Sequence, residues 1–166
     1  MKKLLIGLLA LGFTTQFMFS QEIELSEVYL DVNYQYLDAI ASEDVAESVQ
    51  MLEKEVAYYD LRESDLYNNE YDKYRVSFFI PEGSIIAAYN KEGKILRTTE
   101  RFKNIKLPKT VLGSILEQYP NWEIVEDAYK VDYTDKSGIV RKQYKVKLMN
   151  GKKKIVEKFD ENGEYL

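Results

Sequence analysis

Acidic side chains are the groups in this sequence that could carry out catalysis. The 166 residues include 28 aspartates and glutamates but no histidine and no cysteine. The absence of both residue types excludes Ser-His triads, thiol nucleophiles and the usual zinc sites. Glycoside hydrolysis needs only a pair of carboxyl groups a few ångströms apart. A histidine-free, carboxylate-based hydrolase is therefore one alternative, but no pair of acids is distinguished by its spacing, and no catalytic residue is predicted.

A short acidic stretch late in the chain has the spacing of part of a calcium loop. Asp160, Asn162 and Glu164 alternate around Gly163. A complete calcium site needs about six to eight oxygen ligands and a longer loop to supply them. We therefore predict a plain hairpin turn at these residues, with no metal and no cofactor.

Tyrosines are concentrated in one segment, and a binding function could use them. Five of them fall between residues 58 and 74: Tyr58, Tyr59, Tyr67, Tyr71 and Tyr74. Tyrosine is favoured in interfaces because its ring is large, stiff and amphipathic. Tyr59 and Tyr74 are in phase with apolar faces, which predicts core positions, whereas Tyr67 and Tyr71 lie among aspartates and asparagines. We predict that Tyr67 and Tyr71 bind a protein or peptide partner.

The first twenty residues have the organisation of a secretory signal. Two lysines precede an apolar run from Leu4 to Phe13, and Ser20 is a small residue that suits the position before cleavage. The run is too short to cross a bilayer, which takes roughly 18 to 20 apolar residues in a helix. We therefore predict a signal peptide over residues 1–20, a periplasmic or secreted product, and no membrane insertion after cleavage.

The overall charge favours a protein partner over nucleic acid. Acidic residues outnumber basic ones by 28 to 23, and the net charge is −5. Because a net negative charge repels polyanions, nucleic acid and anionic lipid are not expected as partners. Residues 21–166 have the length of a single compact domain, and without cysteine no disulfide can stabilise it.

Hydrophobic periodicity predicts an α+β protein. Apolar residues alternate from Val28 to Tyr36, which indicates a half-buried strand. Strands are also predicted at about residues 74–80, 85–89, 94–99, 122–133, 140–148 and 155–159. Two amphipathic helices interrupt them, one capped near Ser42 with apolar positions from Val45 to Tyr59, and one between Pro108 and Pro120. We predict antiparallel sheet meanders with the two helices on one face.

The sequence also matches itself at an offset of 70 residues. Five pairs are identical between residues 74–96 and 144–166: Tyr74 and Tyr144, Val76 and Val146, Ile85 and Ile155, Gly93 and Gly163, and Leu96 and Leu166. Any two hairpins share alternation and turn glycines, but each matched segment also follows a predicted helix. We therefore predict two helix-plus-meander repeats, over about residues 27–101 and 102–166.

The second half carries a recognisable series of structural residues. The series begins with Leu107-Pro108, the short helix, Tyr119-Pro120 and Trp122. It continues in strands that contain Tyr129, Val131, Tyr144, Val146 and Asn150-Gly151, and it ends with Phe159-Asp160 and Gly163. Over about residues 102–166 this resembles the PepSY-like family of exported bacterial proteins, also described as beta-lactamase-inhibitor-like. The resemblance implies an exported module that pairs a helix with an antiparallel meander, and protein binding as its role.

These observations together predict an exported, non-enzymatic module that binds a protein or peptide. A sheet with helices on one side leaves its other face open, so that face is a second place where a partner could bind. Besides the hydrolase, the remaining alternative is a structural or sensing envelope stress protein without a small ligand.

Overall fold

The computed structural model describes residues 33–42 and 44–166, and the predicted signal peptide lies outside them. The elements are α1 (Tyr34–Ile40), α2 (Glu47–Tyr58), β1 (Lys73–Ile80), β2 (Gly83–Asn90), β3 (Ile95–Lys103), α3 (Lys109–Gln118), β4 (Glu123–Thr134), a 3-10 turn (Asp135–Ser137), β5 (Ile139–Asn150) and β6 (Lys153–Phe159). The predicted α+β class is confirmed. None of the helices in these residues combines the length and apolar character that a membrane crossing requires.

The strands form one six-stranded sheet in which every neighbour along the chain is also a neighbour in space. The order is β1-β2-β3-β4-β5-β6, and all five pairings are antiparallel. Short turns suffice between most strands, and the Asn150-Gly151 pair connects β5 to β6 as predicted. α3 interrupts the meander between β3 and β4.

One face of the sheet packs against all three helices. Buried residues alternate with more exposed ones along much of the sheet, as at Tyr74, Val76 and Phe78 of β1. These side chains form one core with the buried apolar residues of the helices, which are Tyr36, Ile40, Val49, Leu52, Val56, Ala57, Val111 and Ile115. The helices therefore lie on one side of the sheet, which confirms the predicted arrangement and adds α1 to it.

The strand predicted from Val28 to Tyr36 is wrong in its described part, because Tyr34–Ile40 is α1. The backbone carbonyl of Asn33 accepts hydrogen bonds from the N–H groups of Tyr36 and Leu37, at 3.1 and 3.3 Å. Tyr36 and Ile40 are four residues apart and both are buried, which is the spacing of one helix face. Tyr34 and Tyr36 also fit the alternation of a strand. Ile40, which shows the helical spacing, follows after the alternating stretch has ended.

The second helix of the described chain begins later than predicted. α2 starts at Glu47, where the Ala46 carbonyl accepts hydrogen bonds from Val49 and Gln50, and not at the Ser42 cap. Val45 is buried ahead of the helix. α3 has the predicted limits, with Pro108 as its N-cap and Tyr119 as its C-cap.

Asn33 ties the start of α1 to two other parts of the fold. Its side-chain amide donates to the carbonyl oxygens of Ala57 and Gly93, each at 3.1 Å. Its side-chain oxygen accepts from the N–H of Ile95 at 2.7 Å. The end of α2 and the turn between β2 and β3 are thereby held by one buried side chain.

The internal duplication is not confirmed. The offset of 70 residues aligns β1 with β5 and β2 with β6. In two successive units of one helix and three strands, β1 would correspond to β4 instead. The match reflects shared local structure, since Asn90 and Asp160 close equivalent turns with their side-chain oxygens, and Gly93 and Gly163 adopt positive φ angles of 82° and 81° in those turns.

Candidate binding surface

Tyr67 and Tyr71 are brought together by Tyr74 at the beginning of β1. The ring of Tyr67 stacks on that of Tyr74 with centroids 5.7 Å apart, and Tyr71 meets it edge-on at 6.3 Å. Tyr67 is partly buried against the core, whereas 58% of Tyr71 is exposed. Because Tyr74 faces the helices, this cluster lies on the helix side of the sheet. A binding role for Tyr67 and Tyr71 stays a prediction.

The other side of the sheet, here called the open face, is covered by no helix of the described chain and is strongly basic. It is formed by the strand residues that alternate with the buried ones. Its basic residues are Lys73, Arg75, Arg97, Arg101, Lys103, Lys130, Arg141, Lys145, Lys147, Lys154 and Lys158. Its acidic residues are Glu123, Glu126 and Asp132. A chain with net negative charge therefore carries one face with a large excess of positive charge.

The strand register arranges the central cations in two adjacent rows. In the first row Ser84, Arg101, Lys130 and Gln143 are cross-strand partners from β2 to β5. The second row runs from Lys103 through Ala128 and Lys145 to Lys158. Neighbouring strands lie about 4.8 Å apart, so the rows place several cations around the small side chain of Ala128.

These rows line a groove with a volume of about 890 Å³ at the end of the sheet where β1 turns into β2. Ala128 lies in its lining together with Arg101, Lys103, Lys130 and Lys145. A second groove of about 330 Å³ adjoins it and shares Ser84 and Arg101. Arg101 is thus the charged residue that lines both grooves. Grooves with these volumes can hold a few side chains of a ligand.

Close backbone packing shapes the end of the larger groove. A Cβ atom on Gly83 would overlap the carbonyl oxygen of Arg101, so only glycine lets β2 start this close to β3. Asn104 follows β3 with a positive φ of 52°, which is uncommon for a residue other than glycine. Asp127 holds this corner, because its carbonyl accepts from the N–H of Asn104 and its carboxylate from that of Ile105, both at 3.1 Å.

Most of the central cations have no ionic partner in the described chain. Lys130 pairs with Asp132 at 2.6 Å, and Lys147 approaches Glu126 at 3.5 Å. No described acid lies within ion-pair distance of Arg101, Lys103 or Lys145. Their charges are therefore available to a ligand.

Two carboxyl groups converge on the helix side of the sheet, where sequence analysis named no pair. Glu53 of α2 and Glu100 of β3 are 6% and 0% exposed. One oxygen of Glu100 accepts hydrogen bonds from the Tyr36 hydroxyl at 2.8 Å and the Thr98 hydroxyl at 3.0 Å. Glu53 Oε1 and Glu100 Oε2 have no hydrogen-bond partner in the described chain, and the charge of Glu100 is near enough to raise the pKa of Glu53.

Their surroundings keep these carboxyl groups protonated to unusually high pH. Burial, together with the nearby charge of Glu100, raises the pKa of Glu53 to about 9. Burial raises the pKa of Glu100 to about 7, against the opposing effect of the hydrogen bonds from Tyr36 and Thr98. Neither residue lines either groove, and the pair is enclosed between α2 and the sheet. Both side chains are buried in the described structure, which disfavours the hydrolase alternative.

The acidic stretch late in the chain forms the predicted turn. The Asp160 carboxylate accepts the N–H groups of Asn162 and Glu164 at 2.9 and 2.8 Å, so it is engaged by the backbone. Among the described residues, no cluster of acidic side chains is arranged to hold a metal ion.

Comparisons with known proteins give one similar structure. No family model and no curated protein matches the chain. A crystal structure of a BLIP-like protein from Bacteroides fragilis NCTC 9343 is 19% identical, covers 60% of this chain and 68% of its own, and aligns with a TM-score of 0.31. Both the identity and the TM-score are too low for this likeness to bear on function. The PepSY-like resemblance stays a prediction.

Proposed function

We propose that this protein is an exported, non-enzymatic module that binds a protein or peptide partner on the open face of its sheet. The observation that carries the proposal is the excess of unpaired positive charge on that face. No helix of the described residues covers the open face, on which both grooves lie.

The stability of the sheet gives no reason for this concentration of charge. Arg101 and Lys130 are directly opposite each other, and like charges at such positions destabilise a sheet. The fold already has its core on the other side, where the buried aromatic and aliphatic residues lie. A surface whose charges repel one another is therefore best explained by a ligand of opposite charge.

A groove-filling substitution tests the location of the site. Peptides that bind the full chain would be selected from a random display library and then measured against Ala128→Trp, which places a large ring among the groove cations. Met51→Trp, at an exposed position of α2, serves as the matched control. We expect the selected peptides to lose about tenfold or more in affinity for Ala128→Trp and to keep their affinity for the control.

The same peptides distinguish the open face from the tyrosine cluster. If the double variant Tyr67→Ala, Tyr71→Ala loses binding while Ala128→Trp keeps it, the partner binds on the helix side and the proposal is wrong. A selection that yields no binding peptide would also contradict it.

A further inference from the structure

We infer that the partner contributes an extended acidic segment, whose carboxylates contact the cations around Ala128 and whose apolar side chains pack on Phe79 and Ile86. This inference rests on the proposed function, since it names the chemistry of the ligand for the same face.

The spacing of the cations fits an extended peptide. Arg101 and Lys103 are two residues apart on β3 and point to the same face, so they are separated by about 7 Å along the strand. Side chains at alternate positions of an extended peptide repeat at the same distance. Acids two residues apart in the ligand would therefore meet the Arg101 row and the Lys103 row in turn, through charge-assisted hydrogen bonds.

An apolar border beside the cations indicates more than a simple polyanion. Phe79 of β1 is 73% exposed and Ile86 of β2 is 42% exposed. Phe79 pairs with Ser84, which places Ile86 diagonally next to it on the same face. This border joins the cations at Arg101, because Ser84 is the cross-strand partner of both Phe79 and Arg101. A ligand that uses the whole surface needs apolar and acidic side chains together, which a peptide supplies.

The same residues disfavour a nucleic acid. Modules that bind single strands on a sheet stack bases on aromatic rings beside their cations. The open-face positions of β3, β4 and β5 in the described chain carry no aromatic residue. Phe79, at the edge strand, is the only aromatic residue that the described strands place on that face.

A pair of defined peptides tests the inference. The first is a short fluorescein-labelled peptide in which glutamate alternates with threonine and which ends in two leucines. The second has glutamine at every glutamate position. Their affinities for the full chain would be measured by fluorescence anisotropy at low and high salt, with the variant Arg101→Gln, Lys145→Gln and the control Lys54→Gln, Lys91→Gln. Both variants remove the same charge, and the control residues are exposed and lie outside the open face.

We expect the glutamate peptide to bind about tenfold or more tightly than the glutamine peptide, and to weaken by about tenfold in high salt and in the open-face variant. The control variant should change its affinity by less than about twofold. Phe79→Ala should weaken both peptides, because it removes a contact that does not depend on charge.

Equal binding of the two peptides would overturn the acidic ligand. If the glutamine peptide still loses affinity for Ala128→Trp in that case, the proposed site stands and only its ligand chemistry is wrong. Tighter binding of a single-stranded oligonucleotide under the same conditions would also overturn the inference. The inference would also be overturned if a synthetic peptide with the sequence of residues 21–32 bound more tightly than the glutamate peptide, because the bound segment would then belong to this chain and not to a partner.

Discussion

Arg101 and Lys130 face each other across β3 and β4 on the open face of the sheet. Asp132 pairs with Lys130 at 2.6 Å, but no described acid pairs with Arg101. The charge of Arg101 is thus both repelled by its cross-strand neighbour and central to the two grooves that share it.

Neutralising Arg101 should stabilise the fold while it weakens ligand binding. Arg101→Thr removes the like-charge contact with Lys130 and introduces a β-branched residue, so the free energy of unfolding should rise by about 0.2 to 1 kcal/mol. Arg75→Thr is the matched control, since Arg75 lies opposite the uncharged Ala88. Urea denaturation of both variants gives the comparison, and a lower stability for Arg101→Thr than for the control would contradict the account.

The buried acid pair should make the protein less stable as pH rises. The pKa of Glu53 is about 9 and that of Glu100 about 7 in the folded protein, against an ordinary value of 4.5. Above pH 4.5 the folded state therefore binds more protons than the unfolded state. The free energy of unfolding has its full value below pH 4.5, and it falls by up to about 1.4 kcal/mol per pH unit for each additional bound proton as the pH rises. For Glu53 this loss continues until the pH passes its folded pKa.

Replacing one acid of this pair should flatten that dependence. Glu53→Gln keeps the size of the side chain and removes the titrating proton, so its unfolding free energy should vary less between pH 5 and pH 9, a window set by the folded and unfolded pKa values. Glu55→Gln, at an exposed position on the same helix, should keep the dependence of the unmodified protein. Thermal unfolding across this pH range decides the matter, and identical profiles for both variants would refute the role assigned to Glu53.

Two glycines should respond in opposite directions to the same substitution. Gly83→Ala places a methyl group against the backbone of β3, which must shift. We therefore expect the free energy of unfolding to fall by about 1 to 3 kcal/mol, and binding in the adjoining groove to weaken. Gly113→Ala lies within α3 with no neighbouring atom within 4 Å, and it should stabilise the protein by about 0.5 to 1 kcal/mol. Chemical denaturation of the two variants tests this, and an unchanged or higher stability of Gly83→Ala would show that the close approach of β2 to β3 does not require glycine.

Removing the small side chain of Asn33 should lower the free energy of unfolding by a large amount. Asn33→Ala leaves the N–H of Ile95 and two carbonyl oxygens without their partners, so we expect a loss of about 2 to 4 kcal/mol. Gln35→Ala, an exposed neighbour on α1, should change stability by less than about 0.5 kcal/mol. A similar small effect for both variants in urea denaturation would mean that α1 is not held in place by these hydrogen bonds.

Local patterns predict the elements of this fold where one periodicity dominates. The six strands and α3 follow alternation, proline positions and the Asn150-Gly151 turn closely. The alternation predicts a strand where α1 forms, because Tyr34 and Tyr36 also fit a period of two, and only the tertiary packing of Tyr36 and Ile40 decides between the two structures. The pairing of Glu53 with Glu100 joins residues far apart in sequence, so no local spacing announces it.

The basic open face shows why net charge was an incomplete guide to partners. The net charge of −5 averages the cations and acids of the whole chain and does not show where the cations lie. The cations that form the face are spaced at alternate positions, as in Arg101 and Lys103 or Lys145 and Lys147, and the sheet register brings them together. The alternation was present in the sequence, but its meaning depends on which strands are neighbours.

Chemical-shift mapping by NMR tests the central claim most directly. The isotope-labelled full chain would be titrated with the glutamate peptide, and the backbone amide signals would be followed residue by residue. The account predicts that the largest changes occur at Arg101, Lys103, Ala128 and Lys145. Changes concentrated at Tyr67 and Tyr71 or along α2, with the open face unaffected, would contradict it.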